Sequence, residues 1–167
     1  MCADLSALME LALMEASKAA EDGEVPVGAV VTSKEGDILA IAHNRSVSLH
    51  DPTAHAEILA MRNASAKIGN YRLTGCSLIT TIEPCIMCMG AALHARIETL
   101  AFGAKDPKGG AAGSLYNMAE DTRLNHKIAV VSGILEKECS DIMRVFFQKR
   151  RGTEEAVTGA TRNRLVG

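Results

Sequence analysis

The chain has 167 residues, 47% of them hydrophobic and 23% charged, with a formal net charge of −2; that length builds one core, and that charge excludes a protein that coats nucleic acid by charge alone. No apolar run is long enough to cross a bilayer, so no membrane partner is expected. The five cysteines are odd in number, and the start Met1-Cys2-Ala3-Asp4 carries neither a cationic leader nor an unbroken apolar stretch, which predicts a reduced, cytoplasmic setting.

In chain order, Leu5, Leu8, Met9, Ala12, Ala16 and Ala19 recur at helical spacing behind Asp4, an N-cap residue type, and predict an amphipathic helix over 4–21. The β-rich runs 27–32 and 38–43 flank a loop whose Gly36 supplies the positive φ of a tight reversal, and predict a hairpin. A second helix is expected from about 53 to 67, starting just upstream of His55 and stopped by Gly69. The run 77–82 lacks polar alternation, as a strand covered on both faces does; Glu83-Pro84 ends it and leads into a helix over 85–95. Two more buried strands are expected over 99–102 and 127–131, with a short helix somewhere in 114–125. A closing helix over 136–150 is expected to turn Ile142, Met143, Phe146 and Phe147 inward.

Helices alternating with strands predict an α/β fold: a three-layer α/β/α sandwich around a five-stranded mixed sheet. Its strand-helix-strand units are expected as right-handed crossovers between parallel neighbours, with only the opening hairpin antiparallel. One domain over 1–151 is expected, followed by a weakly ordered basic tail over 152–167. From Arg144 onward six basic residues face two acidic ones.

The chemistry concentrates in His55-Ala56-Glu57 and Pro84-Cys85-Ile86-Met87-Cys88, each at an expected helix start. His55, Cys85 and Cys88 are three nitrogen and sulfur ligands of the kind zinc prefers, and three protein ligands leave the last tetrahedral position to water. Cys2, Cys76, Cys139, His43, His50, His94 and His126 are the candidates to close the site, yet none stands at a short fixed offset from the three. One open zinc site per chain is therefore expected. Glu57, two positions after His55, can approach the activated water without being a ligand and act as the proton shuttle. The combination is the H-x-E and P-C-x-x-C signature of zinc deaminases.

Beyond those motifs, Glu24-Val25-Pro26-Val27-Gly28-Ala29-Val30, Asp51-Pro52-Thr53-Ala54-His55-Ala56-Glu57, Asn70-Tyr71-Arg72-Leu73 and the run from Phe102 to Ser114 give the chain its resemblance to the bacterial tRNA-specific adenosine deaminases over residues 5–151. The resemblance implies a cytidine deaminase-like fold, a homodimer with the helix after Cys85 near the contact, and hydrolytic conversion of adenosine to inosine at the wobble position of a tRNA anticodon stem-loop, on arginine tRNA, with water as co-substrate. It also implies that Asn44 contacts the flipped base, Ala56 offers a backbone N–H and Val27 walls the pocket. Arg45, Asp106, Lys108 and Phe147 would meet neighbouring nucleotides. The chain departs from familiar members at His43, where they carry a larger aromatic, and at Pro107, which stiffens the loop after Asp106.

Read physically, the loop over 105–114 joins glycines able to approach a sugar-phosphate backbone with Lys105 and Lys108 as counter-charges. An aromatic content of 3% is too sparse for a stacking platform and fits a splayed loop with few stacked bases. Two rivals stay open: a free nucleobase or nucleoside deaminase acting on guanine or cytosine, and a non-catalytic zinc-stabilised nucleic-acid-binding module, which would need a fourth protein ligand.

Overall fold

Asp4 opens the first helix by accepting the backbone N–H groups of Ser6 at 3.0 Å and Ala7 at 3.3 Å, which satisfies two of the donors a helix start leaves free. A computed structural model describes residues 4–162. Helix α1 spans Leu5–Glu21 and buries Leu8, Met9, Ala12, Ala16 and Ala19, the stripe its spacing predicts. Strand β1, Gly28–Thr32, and strand β2, Ile38–His43, pair antiparallel across the loop in which Gly36 has φ +95°.

Helix α2 covers Ala56–Ile68 and begins later than expected. The Asp51 carboxylate accepts the Thr53 N–H at 2.8 Å and the Thr53 hydroxyl at 2.7 Å, a local turn that competes with helix at 51–53. His55 is thereby the extended N-cap of α2 rather than a residue within it.

Strand β3 is Ser77–Ile82, helix α3 is Ile86–Ala95 with Cys85 as its extended N-cap, and strand β4 is Thr99–Ala104. Strand β5 is Ala129–Ser132 and helix α4 is Glu136–Arg162. The stretch expected to hold a short helix at 114–125 is turns and an isolated bridge between Ala112 and Asn117. Helix α4 continues past 150, and residues 163–167 of the expected tail lie outside the described residues.

The sheet order is β2-β1-β3-β4-β5. The hairpin is not its only antiparallel pair, because β1 also runs antiparallel to β3, while β3, β4 and β5 are parallel. The reason is that β2 takes the outer edge. The α2 crossover carries the chain back over β1, so β2 and β3 share a direction with β1 between them.

Alternation along the central strands builds the three layers. Val31, Leu78, Leu100 and Phe102 pack in one core with Ala60, Met61, Met89 and Ala92 of α2 and α3. Val30, Ile79 and Ala101 pack in the other with Leu8, Met9 and Ala12 of α1 and Cys139 of α4. Strand β5, expected to be buried, is exposed at all four residues because it is the sheet's other edge. Phe146 is buried at 9% exposure, whereas Phe147, expected to face inward, is 40% exposed. Among the described residues no helix is long and apolar enough to cross a membrane.

Candidate active site

Two helix starts meet at the ends of the central strands. Strand β3 ends at Ile82, and three residues later Cys85 opens α3, which places Cys88 one turn inside that helix. Across from it His55 opens α2, with its Nδ1 3.7 Å from Cys85 Sγ and 3.5 Å from Cys88 Sγ. The three ligand atoms lie within 4.8 Å of one another, and among the described residues no further histidine, cysteine or acidic side chain joins them. Cys2 lies outside the described residues. One nitrogen and two sulfurs around a common point, with no fourth protein ligand, fit the donor set of an open zinc site.

The group is already charged for that task. The hydrogen bond from Cys88 is the largest influence on Cys85 and lowers its thiol to about 3. The same bond, then burial, pushes Cys88 up, so one proton is held on the pair. The bond to Cys85 raises His55. A divalent cation would displace that proton and leave two thiolates and a neutral imidazole as ligands.

Glu57, 2% exposed, sits in the first turn of α2, and burial pushes its carboxyl up. Its Oε2 has no hydrogen-bond partner. An orphaned carboxylate oxygen beside an open three-ligand group is the second sign that the site is built around a further component. His55, Glu57 and Cys85 line a cavity of about 180 Å³ together with Val27, Asn44 and Asp106.

The remaining expected residues divide by position. Buried Asn44 follows β2, and its Oδ1 accepts the Ala56 N–H at 2.8 Å, so the amide expected to be offered to a base is held by Asn44. Lys108 and Phe147 line an adjoining groove of about 640 Å³ with Arg150 and Arg151. Arg45 is exposed and lines neither space; its backbone N–H reaches Ala54 O at 3.0 Å. Next to Asn44, His43 places Nδ1 2.7 Å from the buried Glu15 carboxylate, which ties the end of β2 to α1.

Two buried carboxylates that sequence reasoning passed over each gather a loop. Glu24, 1% exposed, accepts the backbone N–H groups of Val47 at 3.1 Å and Ser48 at 2.8 Å. Against burial, which raises it, those donors hold its carboxyl below the usual range. Glu83 accepts the N–H groups of Asp106, Ala112 and Ser114 and the Ser114 hydroxyl. Burial raises it too, and the Ser114, Asp106 and Ala112 donors win and lower it. For Glu83 the one signal available in the sequence was an acidic residue closing the β3 run.

Residues 3–104 match the model of the cytidine and deoxycytidylate deaminase zinc-binding region. A tRNA-specific adenosine deaminase of Haemophilus influenzae is 49% identical over 144 residues, which covers 86% of this chain and 83% of that protein. A solved tRNA:A34 deaminase, studied for A-to-I editing at the wobble position of transfer RNA, superposes with a TM-score of 0.79 at 45% identity over 81% of this chain and 98% of its own. A guanine deaminase from Nitrosomonas europaea superposes almost as well, with a TM-score of 0.75 over 87% of this chain and 86% of its own, but at 26% identity. Shared shape therefore spans both activities while sequence favours the first, and the chain belongs to the cytidine and deoxycytidylate deaminase zinc-binding family, among its tRNA-specific adenosine deaminases.

Proposed function

We propose that the chain converts adenosine to inosine at the wobble position of a tRNA anticodon, arginine tRNA being the first substrate to try. The observation that carries this reading is the partnerless Glu57 oxygen beside a three-ligand group at a cavity that Val27, Asn44 and Asp106 also line. His55, Cys85 and Cys88 would hold zinc, which when bound would supply Lewis acidity and lower the pKa of a bound water.

Glu57 would accept one proton from water and deliver it to N1 of the base, so that the water oxygen can bond to the electrophilic C6, and would then carry the second proton from that oxygen to the amine as the C6–N bond breaks. Adenosine and water give inosine and ammonia. Burial pushes the Glu57 carboxyl up, which favours the protonated form that donates to N1 and to the amine. Val27 and Asn44 wall the cavity on the base, with Ala56 fixing the Asn44 amide through its N–H.

Flanking nucleotides would run from Arg45 past Asp106 into the groove of Lys108, Phe147, Arg150 and Arg151, where cations meet phosphates and one exposed ring offers a stacking face. Such local basicity reconciles RNA binding with the net charge of −2. Residues 1–151 would form the catalytic domain and 152–167 a C-terminal appendage, working in the cytoplasm. A second copy would cover a separate groove of about 470 Å³ that α3 lines with Gly90, Leu93 and His94 beside exposed Tyr71 and Leu124; sedimentation at a dimer's mass is expected.

Incubation of the zinc-loaded protein with an arginine tRNA bearing a wobble adenosine, followed by sequencing, should show inosine at that position. Retained adenosine there, together with turnover of free guanine, would replace this reading with the nucleobase deaminase.

A further inference from the structure

Glu83 stands at the same cavity as Glu57 and takes no part in the proton transfers above. It is 2% exposed, and every hydrogen bond its carboxylate makes reaches into one loop. Its Oε2 accepts the Asp106 N–H at 3.2 Å and the Ser114 hydroxyl. Its Oε1 accepts the Ala112 N–H at 3.0 Å and the Ser114 N–H at 2.9 Å. Donors at both ends of the stretch 106–114 thus converge on one carboxylate, where no helix or strand gives that stretch a shape of its own.

The loop is seated close. Ala111 N–H reaches Pro84 O at 2.8 Å, and Gly110 bridges to Cys85. A Cβ on Gly110 would lie 2.5 Å from Glu83 Oε2 and 2.7 Å from Asp106 O, so the backbone packs directly against the anion. Asp106 in turn accepts the Lys108 N–H at 2.9 Å. Both polar residues that this loop presents to RNA in the proposed reading therefore stand on a fold that Glu83 gathers.

We infer that Glu83 is a positioning residue: it fixes the 106–114 loop so that Asp106 and Lys108 meet the nucleotides beside the target base, and it governs RNA binding more than the chemical step. The inference rests on the proposed function in taking RNA as the ligand. A buried carboxylate with several donors is the economical anchor here, because bonds to an ionised acceptor are about twice as strong as neutral ones and backbone donors need no particular side chain.

The test is Glu83→Gln, nearly the same in shape, with one acceptor oxygen replaced by a donor that opposes the loop's N–H groups. On a stem-loop RNA with a wobble adenosine, KM should rise by roughly tenfold or more while kcat stays within about threefold, with one zinc per chain retained. Hydrogen exchange at Asp106, Ala112 and Ser114 should accelerate. Ser114→Ala, which removes only the hydroxyl donor, should shift KM and exchange in the same direction by less. Unchanged KM and exchange in Glu83→Gln would overturn the inference, as would loss of zinc, which would make Glu83 a support of the metal helix instead. If Glu83→Gln does not fold, Ser114→Ala decides on the same two readouts. If the wild-type protein leaves the RNA unedited, the proposed substrate fails, and exchange alone decides whether Glu83 holds the loop.

Discussion

Glu57 and Glu83 are buried to the same 2% at one cavity, yet one keeps an oxygen without a partner and the other is met by four donors. Burial pushes the first carboxyl up, and hydrogen bonds hold the second down against the same burial. A buried polar group without partners costs free energy and persists where it is used. A saturated one organises what surrounds it. The cavity accordingly has a reactive side, built on the starts of α2 and α3, and a fixed side, built on the end of β3.

Substitution should separate the two sides. Glu57→Gln removes the shuttle and no metal ligand, so kcat should fall by roughly 10²- to 10⁴-fold with zinc retained and thermal stability unchanged or higher. Single-turnover assays, metal analysis and thermal melting read the three outcomes together. Loss of zinc from Glu57→Gln would erase the distinction, because Glu57 would then be holding the site together as Glu83 holds the loop.

Gly110→Ala addresses the fixed side. The added methyl would meet a carboxylate and a backbone carbonyl, neither of which can yield without breaking the bonds that define the loop. A loss of about 3 kcal/mol in urea unfolding is expected, the upper part of the range for overpacking. A variant as stable as the wild type would show that the loop is free to move off Glu83.

The reactive side was the legible one. His55, Cys85 and Cys88 are rare residue types at short fixed offsets, and zinc chemistry leaves few other readings of them. The lack of polar alternation along β3 and the stripe of α1 likewise declared two-sided and one-sided burial. Sheet order was hidden, because a crossover helix reads the same whether it joins neighbours or passes over β1. Exposure of β5 followed from that order and was hidden with it. Phe146 and Phe147 are adjacent, so period alone could not say which one faces the core. The anchors were invisible for a different reason: Glu83 is held by backbone N–H groups 23, 29 and 31 residues away, donors that any sequence carries.

Glu24 offers the smallest and most specific check, because it repeats the fixed arrangement at the loop after β2, on Val47 and Ser48. Its folded carboxyl lies below the ordinary 4.5. The unfolded chain therefore takes up the proton first as pH falls, so Glu24 contributes stability above 4.5 that is lost as pH drops through its folded value. Glu24→Gln should cost roughly 1 kcal/mol in urea unfolding at neutral pH, since the amide keeps one acceptor for the two N–H groups. The gap between variant and wild type should close on acidification, and protonation of the zinc ligands, common to both proteins, cancels from that difference. A gap that stays constant into acid would mean that the carboxylate charge holds nothing, and that the loop after β2 is fixed by Asn44 and Ala54 alone.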